Sequence, residues 1–311
     1  MEERTLRIQN EVKKAISGKD HIIETVLTAI LAGGHILLED IPGVGKTTLA
    51  LAMSKALGLR FNRVQFTPDV VPSDITGFSI FDSKTGEFNF KPGAVLTNFF
   101  LADEINRTSS KTQAALLQVM QEGRVTVDGR TYAVPEPFVV MATQNPVGTA
   151  GTQMLPEAQL DRFMVKIAMG YPDFDAQVDI LKQRDKKDPL NDISRVVTPD
   201  EVSAMKNSVK EIYVDDKIYR YITNLAEETR KHPYVKLGVS PRGSLALANM
   251  AKANAFVEGR DFVTPEDVEH VLNDTWRHRL ILLPKAGISG LDQDSILDEI
   301  KASVVAEKVN E

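Results

Sequence analysis

Apolar residues recur every three to four positions over residues 6–16 and again over 22–31, the spacing of helices with one buried face. A short apolar run follows at 35–38, then a turn, then an apolar-rich stretch at 49–57. Three further runs, 61–66, 99–102 and 138–142, have the length of fully buried strands. Strands alternating with helices predict an α/β fold, a parallel sheet sandwiched by helices.

Two segments break the alternation. Residues 77–90 read GFSIFDSKTGEFNF, with Lys84, Thr85 and Gly86 as a turn between alternating runs. Residues 124–134 read RVTVDGRTYAV, with Asp128 and Gly129 at the tip. Asp-Gly between alternating residues is a strong hairpin signal, so two β-hairpins are expected. On pattern alone they could be surface decoration.

From Tyr171 and Pro172 onward strand signals stop and helices are expected to the end. Thr198, Pro199 and Glu201 occupy the N-cap, N1 and N3 positions of a helix start, and Thr264, Pro265 and Asp267 repeat the idea. The run KQRDKKD at 182–188 reads as a solvated helix end and loop. The change of texture divides the chain into an α/β unit, 1–170, and an all-α unit, 171–311.

Composition narrows the class without changing this picture. The 311 residues are 42% apolar and 26% charged, as in globular proteins. With 37 Lys and Arg against 43 Asp and Glu, the net charge of −6 argues against a surface given over to nucleic acid or anionic membrane. The absence of Cys removes Cys-ligated zinc, iron–sulfur clusters and thiol catalysis. The N-terminus mixes acids and bases and lacks a signal-peptide core. The longest uncharged apolar stretch, 26–38, is interrupted by Gly33, Gly34 and His35 and falls short of the ~20 residues of a membrane span. The expectation is a soluble, cytoplasmic protein.

The candidate chemistry lies at the strand ends. Residues 40–47 read DIPGVGKT, the phosphate-loop pattern G-x-x-x-x-G-K-[ST] with Asp40 in place of its first glycine. Gly43 and Gly45 let the backbone wrap an anion. Pro42, Val44 and Thr48 complete the loop, Lys46 reaches the β and γ phosphates, and the Thr47 hydroxyl ligates Mg²⁺. The bland alternative is a Gly-rich turn opening a helix. Residues 99–104 read FFLADE, an apolar strand tipped with Asp103, suited to Mg²⁺, and Glu104, suited to accept a proton from an attacking water. Strands often end in acids, so this pair gains meaning only beside the loop. The third strand ends in Thr143, Gln144 and Asn145. Alone, Asn145 would be a loop cap; beside the other two motifs it can hold the water or the γ-phosphate. The implied ligands are a nucleotide and Mg²⁺; ATP in particular is implied only by the resemblance that follows.

The series LEDIPGVGKT, FFLADEINR, VMATQNPVGTAGTQMLPEAQLDRF and GVSPRGSLAL resembles the MoxR family of AAA+ ATPases, in the family's order and over about residues 6–283. The resemblance implies a nucleotide-binding α/β domain, 1–170, and a C-terminal helical lid, 171–311. It matches the two hairpins to one inserted in the second helix and one before the sensor-1 strand, and it accommodates Asp40. It implies Asn145 as sensor 1, Arg162 as an arginine finger reaching a neighbouring subunit's γ-phosphate, and Arg242 as sensor 2 on a lid helix that swings with nucleotide. By residue type alone, Arg162 would rather pair with Asp161 or Glu157, and Arg242 with solvent. Arg107 could also reach across an interface, and by analogy the adenine pocket involves residues 16–19.

The resemblance further implies a ring, as a hexamer, and ATP-driven remodelling or maturation of a protein client alongside a von Willebrand factor A-domain partner. Two other readings stand beside it. One is a nucleotide-gated binding module with little turnover. The other is a nucleic-acid motor using hairpin cations such as Lys84, Lys91, Arg124 and Arg130. Thr76, Gly77 and Phe78 match an unfoldase pore loop only poorly.

Overall fold

The computed structural model describes residues 2–145, 155–186 and 188–306. The middle of the third quoted motif, 146–154, and Lys187 of the charged run lie outside the described residues.

The chain opens with helices α1 (Glu2–Lys13) and α2 (Asp20–Leu31), then strand β1 (Ile36–Glu39), helix α3 (Lys46–Ala56) and strand β2 (Phe61–Gln65). A short helix α4 (Pro72–Thr76) leads into the hairpin β3 (Gly77–Asp82) and β4 (Glu87–Pro92), followed by β5 (Phe99–Asp103) and α5 (Ser110–Glu122). A second hairpin, β6 (Arg124–Val127) and β7 (Arg130–Ala133), precedes β8 (Val139–Gln144), the short α6 (Glu157–Leu160) and β9 (Val165–Ile167). Five strands form one parallel sheet in the order β2-β5-β8-β1-β9. Successive side chains serve opposite faces. Phe99, Leu101, Val139 and Met141 join a core with α1, α2 and α3, while Phe100, Ala102, Val140 and Ala142 join one with α5.

Both expected hairpins form. Asp128 and Gly129 turn with φ 49° and 76°, the left-handed pair that a tight hairpin requires. The first hairpin exposes Phe78, Ile80, Phe81 and Phe88, and Phe90 stacks on Tyr132 of the second at a centroid distance of 3.9 Å.

Three expectations need correction, and one strand goes unanticipated. Strand β2 is not fully buried: as the outermost strand it exposes Asn62, Arg63 and Gln65. Strand β8 continues through Thr143 and Gln144, because pairing with β1 carries it to Gln144. Strand β9 was missed, being only three residues long. Strands also do not vanish in the second half, where β10 (Val235–Leu237) and β11 (Ile281–Leu282) form a short antiparallel ladder, too brief to leave a periodic signal.

The rest of that half is helical: α7 (Phe174–Lys186), α8 (Pro199–Lys210), α9 (Asp216–Lys231), α10 (Pro241–Val257), α11 (Pro265–Trp276), α12 (Pro284–Ile288) and α13 (Gln293–Ser303). Helices α8 and α11 start with reciprocal caps: the Thr198 amide donates to Glu201 at 2.9 Å and the Thr264 amide to Asp267 at 2.8 Å. Such caps contribute about 1 kcal/mol each. None of the described helices is long and apolar enough to cross a membrane.

One apolar cluster runs from α1–α3 into α8–α11 and α13, so the helical half is packed onto the sheet domain rather than hung beside it. A polar seam accompanies this contact. His21 of α2 lies 3.0 Å from Asp274 of α11, and His270 of α11 lies 3.1 Å from Glu24 of α2. Those hydrogen-bonded carboxylates raise the pKa of both imidazoles, so their stabilisation is full below about pH 6.5 and fades as pH rises above it.

His35 has the opposite sign. It is buried at the start of β1, its Nδ1 accepts the Val140 amide at 3.0 Å, and its Nε2 therefore carries the hydrogen donated to the Met120 carbonyl at 3.0 Å. Burial lowers its pKa to about 4. Burial, with Arg279 beside it, likewise lowers His278. Between about pH 6.5 and 4 the unfolded chain takes up a proton that folded His35 refuses, a loss of about 3 kcal/mol. Urea unfolding followed by the single, buried Trp276 should show this acid loss in the parent, and His35→Asn should flatten it by about that amount.

Candidate nucleotide site

The sheet register decides which residues meet. Pairing Glu39 with Gln144 and Ala102 with Ala142 delivers the ends of β1, β5 and β8 to the same carboxyl edge, where open α/β sheets bind ligands. After β1 the chain turns through Asp40–Gly45 into α3. Gly43 and Gly45 have φ 87° and 98°, and a Cβ built on Gly43 would meet nothing within 4 Å, so the loop bends round open space. Gly45 caps α3 without a side chain, leaving the first-turn amides and the positive end of the helix free for an anion.

Asp40 closes this turn instead of widening it. Its Oδ1 accepts the Ile41 amide at 2.8 Å, and its Oδ2 accepts the amide of Gly170 at 2.6 Å. Lys46 reaches back, donating to the Asp40 carbonyl at 2.7 Å and to Asn145 Oδ1 at 3.2 Å. Burial lowers its pKa, opposed by Asp40, Asp103 and Glu104.

Asp103 and Glu104 follow β5. The Thr143 hydroxyl donates to Asp103 Oδ1 at 2.6 Å and accepts the Glu104 amide at 2.8 Å. Glu104 has φ 55°, a left-handed conformation that costs a side-chain-bearing residue about 1–3 kcal/mol. Its Oε1 accepts Asn145 Nδ2 at 3.3 Å, and its Oε2 accepts Arg107 Nη1 at 2.7 Å. Arg107 thus lies on an acid of its own chain. Asn145 bridges Lys46 and Glu104, joining all three strand ends.

These side chains line a cleft of about 360 Å³ with Pro42, Gly43, Gly45, Thr47 and Thr48. Two further lining residues, Arg63 and Gln65 of β2, were missed by sequence reasoning. Arg63 clasps Asp103 Oδ2 through Nη2 at 2.6 Å and Nε at 3.2 Å. The signal was present in FNRVQ, whose period of two puts Arg63 and Gln65 on one face of a strand beside β5. Thr47 and Asp103 present oxygen donors to one cleft, the donor type Mg²⁺ prefers. Among the described residues no group of three or more His, Cys, Asp or Glu is placed to hold a metal ion.

A second cavity of about 360 Å³ continues from this cleft across Pro42, Gly43, Gly45 and Thr48. Ile16, Val44, Met169, Tyr171, Ile180 and Leu181 give it an apolar lining, and Ser17 and Lys19 stand at its wall. It includes the expected 16–19 segment. A polar cleft at a helix N-terminus joined to an apolar slot has the form of a mononucleotide site.

Arg162 and Arg242 lie elsewhere. They share a separate cleft of about 250 Å³ with Asp161, Arg279, Gly33 and Met120. Asp161 is taken by Arg279, whose Nε donates to Oδ1 at 2.8 Å while Nη2 donates to the Phe163 carbonyl at 2.7 Å. Burial lowers Arg279 to a pKa of about 10, which leaves it charged at neutral pH. Arg242 is exposed, and the Nε of Arg162 has no hydrogen-bond partner among the described residues. Within one chain, then, Lys46, Thr47, Asp103, Glu104 and Asn145 converge, and the two arginines stand apart from them.

Comparison with known proteins identifies the family. The profile of the ATPase family associated with various cellular activities (AAA) matches residues 35–165, and that of the AAA lid domain matches 227–300. The chain is 47% identical to YeaC of Bacillus subtilis over 94% of its own length and 92% of that protein's. It is 38% identical to the chaperone MoxR1 of Mycobacterium tuberculosis, over 96% and 81% of the two chains. A crystal structure from Cytophaga hutchinsonii superimposes with a TM-score of 0.89 at 37% identity, covering 99% of this chain and 98% of the other. With phosphate loop, acidic strand tip and helical lid in that order, the chain belongs to the MoxR family of AAA+ ATPases.

Proposed function

We propose that the chain hydrolyses ATP with Mg²⁺ at a site completed by a second copy of itself, and uses that cycle to remodel or mature a protein client. The observation that carries the reading is the bridge of Asn145 between Lys46 and Glu104 across the cleft at the start of α3. In this reading the loop amides and Lys46 hold the β and γ phosphates, and the apolar slot takes the base. Thr47 and Asp103 hold Mg²⁺, which supplies charge neutralisation at the phosphates. Glu104 takes the proton of the attacking water once it is released from Arg107, and Asn145 positions that water.

The placement of Arg162 and Arg242 supports assembly. Neither reaches the phosphate cleft of its own chain, yet both are cations in one cleft with a single acid already neutralised by Arg279. Guanidiniums so placed suit the γ-phosphate of a neighbouring copy, where they stabilise charge that grows in the transition state. We extend the reading to a hexameric ring in the cytoplasm, a division of the chain near residue 170, and a von Willebrand factor A-domain partner. The chaperone name of the mycobacterial relative supports a protein client.

Glu104→Gln should keep ATP binding and lose hydrolysis by about 100-fold or more, measured as phosphate release beside a binding titration. Turnover equal to the parent's would overturn the general-base role. Little turnover in the parent, left unchanged by Glu104→Gln while ATP-dependent partner binding persists, would favour a nucleotide-gated binding module. Mixing Arg162→Ala with Glu104→Gln chains should restore part of the activity that neither has alone, because some junctions then pair an intact arginine with an intact glutamate. No recovery at any ratio would sink the action across the interface.

A further inference from the structure

We propose that Arg63 is a built-in competitor of the metal ion: it occupies the Asp103 oxygen that the metal shell must use, and so sets how much divalent cation the site requires. This rests on the reading of Thr47 and Asp103 as the metal-facing pair.

The two oxygens of Asp103 have unlike partners. Oδ1 accepts the Thr143 hydroxyl at 2.6 Å. Thr143 is fully buried on the interior strand β8, and its oxygen is also engaged by the Glu104 amide. That partner is fixed by the sheet. Oδ2 has no partner from the sheet interior and is held instead by Arg63, through Nη2 at 2.6 Å and Nε at 3.2 Å. A guanidinium donating twice to one carboxylate oxygen leaves little of it for a metal-bound water, and a divalent cation repels the fixed positive charge at this range. The two cations therefore exclude one another.

Only Arg63 can give way. It sits on the edge strand β2, its side chain is 44% exposed, and Gln65 Oε1 already accepts Nη2 at 2.9 Å, an acceptor that remains when Asp103 is lost. The exchange is a competition of two cations for one oxygen, so the concentration of metal governs it. The alternative role for a cation in this cleft, a direct phosphate ligand, has the opposite sign in experiment: removing it would weaken nucleotide binding without metal.

The test is the affinity of the full chain for a fluorescent, non-hydrolysable ATP analogue, measured in EDTA and in Mg²⁺. The ratio of the two Kd values reports how strongly metal and nucleotide support each other. Arg63→Gln and Arg63→Met should each leave the EDTA affinity at the parent value, which also shows the fold intact, and raise the Mg²⁺ enhancement about tenfold, the scale of one charge-assisted hydrogen bond. The Mg²⁺ concentration for half-maximal binding should fall accordingly. Asp103→Asn should abolish most of the enhancement. An unchanged or smaller enhancement in both Arg63 variants, or weaker binding in EDTA, overturns the proposal while a normal Asp103→Asn result leaves the metal site standing. A parent with no Mg²⁺ enhancement, unaffected by Asp103→Asn, would instead refute the metal reading itself.

Discussion

The hydroxyl of Thr143 is the point on which the catalytic edge hangs. It donates to Asp103 and accepts from the Glu104 amide, stitching β5 to β8 one residue beyond their last paired position. The oxygen is fully buried, so both bonds lie in a medium where an unmade hydrogen bond is costly, and the pair of strand tips cannot drift apart. This also explains how Glu104 tolerates a left-handed backbone. Its amide is pinned, and the 3-10 turn Ile105–Arg107 follows at once and brings Arg107 back onto its carboxylate. Everything else at the site is measured from that fixed point: Asn145 is two residues further along the same strand end, and Lys46 reaches Asn145.

The site's charges are matched before any ligand arrives. In the phosphate cleft Asp103 faces Arg63 and Glu104 faces Arg107. Pairs of this kind add little net stability once desolvation is counted, but they fix direction. Lys46 is the exception, since its partners are a carbonyl and an amide oxygen rather than a carboxylate, so its charge is available to a polyphosphate. The overall charge of −6 therefore says little about the site, where cations and acids alternate within a few ångströms.

Much of this was legible because it is local. The phosphate loop, the acidic tip of β5 and the Asp128-Gly129 turn are each written in a handful of consecutive residues whose chemistry leaves few alternatives. What escaped was relational. That β2 is an edge strand depends on what fails to pack against it, and the value of Arg63 depends on its neighbour β5. The ladder of β10 and β11 is too short to have a period. The meeting of Arg162 and Arg242 depends on how the helical half docks against α1–α3, which no local pattern encodes. Asp40 was read as a departure from a pattern, and its use became visible only when its partner, Gly170, was in view.

That partner lies outside the loop altogether. Gly170 has φ 61° and stands where the chain leaves the sheet domain for α7. The residue that replaces the loop's first glycine therefore holds two places at once: its carboxylate accepts the Gly170 amide and its carbonyl accepts Lys46. By thermodynamic reciprocity, whatever a bound polyphosphate does to the posture of the helices, the helices do in equal measure to its affinity. The loop that faces the ligand and the point where the chain departs for the helices thus share one carboxylate, beside the apolar cluster that joins the two halves.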